Sequence, residues 1–215
     1  TAVGHSALGV NTTGAGSTAV GMRALQANTT GDNNVSVGKD SLYANTTGSN
    51  NVAVGLSALQ NNTTGEVNSA FGTTALFTNT TGYGNTAVGK NALYTNNGNN
   101  NTAVGHEALE LNTTGSDNTA VGREALEEVT TGNYNTAVGY RAADSVTTGT
   151  YNVAMGRRAL DDVTTASYNV AIGSSALENN TGANNTAVGH QALTANTSGE
   201  RNVAVGLSAA AANTT

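Results

Sequence analysis

The stretch Asn51-Val52-Ala53-Val54-Gly55-Leu56-Ser57-Ala58-Leu59-Gln60-Asn61-Asn62-Thr63-Thr64-Gly65-Glu66-Val67 decides how the whole chain is read, because it recurs from end to end. The glycine of its Ala-Val-Gly triplet returns at Gly4, Gly21, Gly38, Gly55, Gly72, Gly89, Gly105, Gly122, Gly139, Gly156, Gly173, Gly189 and Gly206. Ten of the twelve intervals are 17 residues and two are 16. A second glycine closes the Asn-Thr-Thr-Gly segment, with Ala166 in its place once, and always stands seven residues before the next Ala-Val-Gly glycine. Both one-residue deletions therefore fall in the other arm, around Asn96-Asn97-Gly98 and Asn180-Thr181-Gly182.

A unit of 17 residues is too short for a helix pair or a propeller blade. It suits one coil of a parallel β-solenoid, and about thirteen coils predict an all-β fold over residues 1–215 as a single repeat domain. Three residues before the glycine the chain holds Thr or Val (Thr18, Val35, Val52, Thr86). One residue before it stands Val, Ile, Met or Phe (Val20, Ile172, Met155, Phe71). These two positions share a face of a strand and the alanine between them takes the other. The expectation is that Thr/Val and Val point inward and Ala outward. The following Ala-Leu pair starts the opposite wall with Leu inward, and the glycines and Asn-Thr-Thr-Gly segments make the turns. Asparagine recurs four residues before the glycine (Asn34, Asn51, Asn85, Asn118, Asn152), as a rung-to-rung amide ladder or as a plain turn residue.

The interior of so small a coil is thin, so lateral association is expected, as a homotrimer or a filament. An outward column of small residues, Ala19, Ala53, Ala87, Ala120, Ala154 and Ala187, is the candidate interface. Neither end reads as an atypical capping unit, so the expectation is an excerpt of a longer fibre.

Composition narrows the function. The 215 residues include no Cys, Pro or Trp, 10% charged and 4% aromatic residues, and a net charge of −6 with eight basic residues. There is no thiol chemistry, no disulfide framework and no basic footprint for nucleic acid. No apolar run is long enough to span a membrane as a helix. The three histidines, His5, His106 and His190, lie in one column but five or six coils apart, roughly 24–29 Å at about 4.8 Å per rung. They cannot meet at a metal within one chain. No catalytic residue, cofactor or metal site is assigned, and an enzyme is not expected.

One local feature stands out. Three successive coils replace the Asn before Thr-Thr with Val129, Val146 and Val163 and align Tyr134, Tyr151 and Tyr168 in one column. The same coils carry Arg123, Arg141, Arg157 and Arg158 beside Glu127, Glu128, Asp144, Asp161 and Asp162. They read either as recent duplication with stacked rings and ion pairs or as a patch for a sugar or protein partner.

The Asn-(Thr/Val)-Ala-Val-Gly-x-x-Ala core, as in Asn51-Val52-Ala53-Val54-Gly55, resembles the head repeat of trimeric autotransporter adhesins. The longer form with Asn-Thr-Thr-Gly is similar to repeats of phage tail fibres and bacterial surface proteins. The resemblance covers essentially the whole chain, although the adhesin repeat is a few residues shorter. It implies a left-handed β-roll in a homotrimer, extracellular, on a cell surface or virion, binding surfaces or glycans without catalysis. The alternative is an ice-binding solenoid using the threonine pairs (Thr12-Thr13 to Thr80-Thr81), and a glycan-cleaving enzyme stands third.

Overall fold

The computed structural model describes residues 1–214. It holds thirteen short strands, from Ala2–Val3 at the first coil to Val203–Val205 at the last, and no helix among the described residues. The strands form one parallel sheet in sequence order, each pairing only with those of the coils before and after it. Register is residue for residue, Thr18↔Val35, Ala19↔Ser36 and Val20↔Val37, and it holds across both 16-residue coils, as in Thr86↔Thr102. Like side chains therefore stack in columns along the rod. Thirteen rungs at about 4.8 Å give a length of roughly 60 Å.

Backbone hydrogen bonds also tie the rest of each coil to its neighbours. Leu25 N–H donates to the Ser41 carbonyl at 3.0 Å and Leu59 N–H to Ala75 at 2.9 Å. The second arm is not a strand but a chain of turns, with Arg23 (φ 58°) and Leu25 (φ 53°) both in the left-handed region. The triplet glycine sets the first corner. Gly21 has φ 135°, and a Cβ there would lie 2.5 Å from the Gly38 carbonyl oxygen, so neither conformation nor space admits a side chain.

Inside and outside are the reverse of the sequence expectation at the strand. The central alanines Ala19, Ala53, Ala87, Ala120, Ala154 and Ala187 are fully buried, whereas Val20, Val88 and Val121 on the other face are 37–38% exposed. The leucines point inward as expected, and Ala24, Ala58 and Ala92 point inward with them. The reason is room. The two walls come so close that Ser36 and Ser41, which replace the two inward alanines of a single coil, hydrogen bond across the interior, Ser36 Oγ also donating to the Ser41 carbonyl at 2.8 Å. A wall-to-wall gap of that size takes two methyl groups and not two valines. The alanine column is thus core and is not available as a lateral interface.

Two asparagine ladders complete the core. Along the expected one, Asn34 Oδ1 accepts from the Asn51 backbone N–H (2.9 Å), and Asn51 Nδ2 donates to the Gly65 carbonyl (2.8 Å). The second runs through the Asn before Thr-Thr. Asn45 Nδ2 donates to Asn28 Oδ1 and to the Gly48 carbonyl, each at 2.9 Å, and Asn62 repeats the pattern on Asn45. Both are fully buried, so each amide satisfies the backbone of a turn that water cannot reach. In the two shortened coils Asn96 Oδ1 and Asn180 Oδ1 accept from Asn101 and Asn185 respectively, closing the tighter corner.

Candidate functional site

Three features stand out: the outer face of the sheet, the tyrosine column and the charged columns of coils seven to eleven.

The outer face is built by the residues flanking the buried alanine. Val20, Val37, Phe71, Val88, Val104, Val121, Met155 and Ile172 all lie exposed in a single file, 36–42% accessible. Beside them runs the partly covered Thr/Val file, for example Thr102, Thr119, Thr136 and Val153. Register is exact between coils, so the result is an apolar stripe along the rod. Soluble monomers seldom display contiguous apolar surface of that kind.

Tyr134, Tyr151 and Tyr168 do stack, with ring centroids 4.8 and 5.1 Å apart and planes within 13°. They are 48–57% exposed and each occupies the left-handed region (φ 58–61°), where Asn or Gly stands in most other coils. Because the rings lie face to face, the face of the middle ring is covered and the surface shows ring edges and hydroxyls. Stacking of a sugar ring on Tyr151 is therefore blocked. A second aromatic pair, Phe77 and Tyr94, stacks at 5.1 Å.

The arginines meet carboxylates and not the tyrosine column. Arg141 binds Asp144 (2.6 Å) and lies 3.7 Å from Asp161. Arg158 bridges Asp161 (2.5 Å) and Glu178 (2.9 Å). Arg123 pairs with Glu124 in its own coil and lies over the Tyr140 ring at 5.6 Å. Arg157 is exposed and forms no ion pair among the described residues. Burial pushes the Asp144 carboxyl up despite Arg141, which pulls it down. Asp161 is fully buried between two guanidinium groups.

Sequence reading missed one cluster. Glu107, Glu110 and Glu127 are half-buried and bring carboxylate oxygens within 4.8 Å of one another. Glu127 is pushed up to about 7 by burial first, and then by the charges of Asp144, Glu124, Glu107 and Glu110. Glu110 is also raised, by burial and by Glu107. The signal was present as the 17-residue spacing of Glu110 and Glu127, but it emerges only once the coils are superposed.

The threonine pairs divide their work. From Thr12 to Thr147 the first hydroxyl of the pairs is engaged with the next rung, as in Thr46 Oγ1 donating to the Thr63 carbonyl at 3.0 Å and Thr63 to Thr80 at 3.0 Å. That file is structural and not a free hydroxyl array. No pocket opens among the described residues.

No protein-family model matches the chain, and neither a curated protein nor a solved structure matches it.

Proposed function

We propose that this chain is a stiff, non-catalytic segment of an extracellular fibre, whose rods pack against sister chains and present their corners to a surface. The observation that carries the reading is the exposed apolar stripe on the sheet face. It runs the length of a rod whose own interior holds little more than alanine, leucine and asparagine. Covering that stripe removes apolar surface from water at about 25 cal/mol per Å², and a second rod of identical rung spacing is its natural complement. The interface thus passes from the alanine file to the valine file. The resemblance to adhesin heads implies a left-handed homotrimer, and the exposed stripe is the face that such a trimer would turn to its axis.

The sedimentation mass of the chain tests the reading. The chain of 21.4 kDa is expected to sediment as a multiple of that mass. Val88→Lys combined with Val121→Lys is expected to yield single chains with unchanged circular dichroism. A wild-type chain that sediments singly at micromolar concentration contradicts the proposal. The ice-binding alternative is weakened because the first threonine file has bound hydroxyls. A thermal-hysteresis assay on the same sample separates the two.

A further inference from the structure

Backbone bonds hold the tyrosine column in register: Tyr151 N–H donates to the Asn133 carbonyl at 3.1 Å and Tyr168 N–H to the Thr150 carbonyl at 3.0 Å. The rings of Tyr134, Tyr151 and Tyr168 follow at 4.8 and 5.1 Å between centroids, with interplanar angles of 13° and 6°. Face-to-face contact at this separation is how two phenoxyl radicals meet, because their unpaired spin lies above and below the ring plane. All three rings are about half exposed, so an oxidant reaches them from solvent. The other four tyrosines form no such pair. Tyr43 and Tyr140 lie under Arg23 and Arg123, and Tyr94 stacks on Phe77, whose ring has no hydroxyl. Tyr83 has no aromatic partner among the described residues.

Two further observations bear on the column. The chain has no Cys and no Trp, the side chains that otherwise give up an electron most readily, so a one-electron oxidant finds tyrosine as its target. The same three coils have also lost part of their rung-to-rung bonding. Val129, Val146 and Val163 stand, fully buried, where the second asparagine ladder runs in most other coils. Amide bonds such as Asn62 Nδ2 to Asn45 Oδ1 have no counterpart between these valines. The tyrosines thus tie together the coils that the ladder does not.

We propose that the tyrosine column is a site of oxidative cross-linking, at which Tyr151 couples to Tyr134 or Tyr168 as dityrosine and staples two successive coils of one chain. The oxidant is a haem peroxidase turning over hydrogen peroxide. Each of two neighbouring phenols loses one electron to the enzyme and its hydroxyl proton to water. The two radicals join through a bond between their Cε carbons, ortho to the oxygens. Each joined carbon then releases its hydrogen as a proton and each oxygen takes one up, which restores two phenols. Two electrons and two protons leave the pair in all, and one hydrogen peroxide becomes two waters. Rings joined by a single carbon–carbon bond have centroids only slightly closer than those of the stack, so the coils keep their register while the exposed rings pivot. The bond closes a 17-residue loop, which lowers the entropy of the unfolded chain. The site does not depend on the association proposed above.

Treatment of the 215-residue chain with a plant haem peroxidase and hydrogen peroxide tests the assignment. Dityrosine fluorescence is expected, and at least tenfold less of it in Tyr151→Phe, which keeps the stack but leaves the two remaining phenols two rungs apart. Tyr83→Phe and Tyr140→Phe should retain the wild-type yield. Trypsin cuts after Arg123, Arg141 and Arg158 and so places Tyr134, Tyr151 and Tyr168 on separate peptides. Mass spectrometry, run on Tyr140→Phe because Tyr140 shares a peptide with Tyr134, should find two of these peptides joined with the loss of two hydrogen atoms. In a mixture of isotopically light and heavy chains the joined pairs should be all light or all heavy. The cross-linked chain should melt above a sample given peroxide without enzyme, which shares any methionine oxidation. No fluorescence, an undiminished yield in Tyr151→Phe, a yield that falls in Tyr83→Phe, pairs of mixed isotope or an unmoved melting temperature would each overturn the staple as assigned.

Discussion

Val67 is a β-branched side chain held at φ 58° and 59% exposed. Its column carries glycine at Gly16 and Gly84 and asparagine at Asn33 and Asn50. The left-handed region costs an L-residue roughly 1–2 kcal/mol, and more for a branched one, while glycine enters it freely. Exposure means that little packing is lost on truncation. Val67→Gly is therefore expected to stabilise the chain by about 1 kcal/mol in denaturant unfolding, an unusual direction for a Val→Gly change. A destabilisation of that size would show that the turn is not left-handed there. The same column explains why tyrosine is tolerated three times in a row: stacking along the rod offsets a backbone that asparagine would adopt more cheaply. Ala166 has a comparable logic. Elsewhere its place is glycine, and at Gly65 a Cβ would meet both Asn62 Oδ1 and the Gly82 carbonyl oxygen at 2.4 Å. Before Ala166 that amide is replaced by Val163, which removes one of the two obstacles, although Gly132 and Gly149 keep glycine beside Val129 and Val146.

At the scale of the ladder, the second asparagine file has a consequence for where the chain can fold. Asn28-Thr29-Thr30, Asn45-Thr46-Thr47 and Asn62-Thr63-Thr64 each match the N-glycosylation acceptor pattern. Yet Asn62 Nδ2 uses both hydrogens, one on Asn45 Oδ1 and one on the Gly65 carbonyl, in a fully buried site. A glycan on Nδ2 removes one donor and cannot be accommodated. Secretion through an N-glycosylating host is expected to yield glycosylated, misfolded chains by mass spectrometry and circular dichroism. Alanine at the second threonines, such as Thr64→Ala, should restore folding. Folded, glycan-bearing coils would contradict the ladder. The acidic file makes a pH prediction of its own. Glu127 titrates near 7 in the fold and near 4.5 when ordinary, so the folded state binds the extra proton between those values. Stability should rise as pH falls from 8 toward 5 and decline as pH climbs through 7. Thermal melts across that range that fail to move, or move oppositely, would contradict the crowded-carboxylate picture. After these elements the limits of sequence reading are plain. Glycine spacing revealed the coil because only glycine fits the corner, as at Gly21. The direction of the strand side chains misled, since Thr/Val-Ala-Val puts apolar groups on both faces. Hydrophobicity ranks valine inward, but the narrow gap spanned by Ser36 and Ser41 admits only alanine. The buried amide file was hidden because Asn-Thr-Thr-Gly reads as a turn, and the Glu107–Glu110–Glu127 cluster because its members are neighbours across coils.

For the whole molecule, the reversal of the strand faces changes what the rod offers its surroundings. On the strand, the small residues face the inside, where they meet the leucines of the other arm, and the larger apolar ones form a straight stripe outside at one side chain per rung. We propose that the rod associates with sister chains through this stripe, which would give a stiffness that a thin single coil lacks. Because the chain contains no cysteine, single thiols can be placed at will. A nitroxide spin label at Val121→Cys, on the stripe, compared with one at Thr131→Cys on a corner turn, reads the interface directly. The account predicts immobilisation and dipolar broadening for the label at position 121, both lost on dilution with unlabelled chain or on dissociation, and a mobile, unbroadened spectrum at position 131. A freely mobile label at 121 with a broadened one at 131 would place the contacts on the corner and contradict the account.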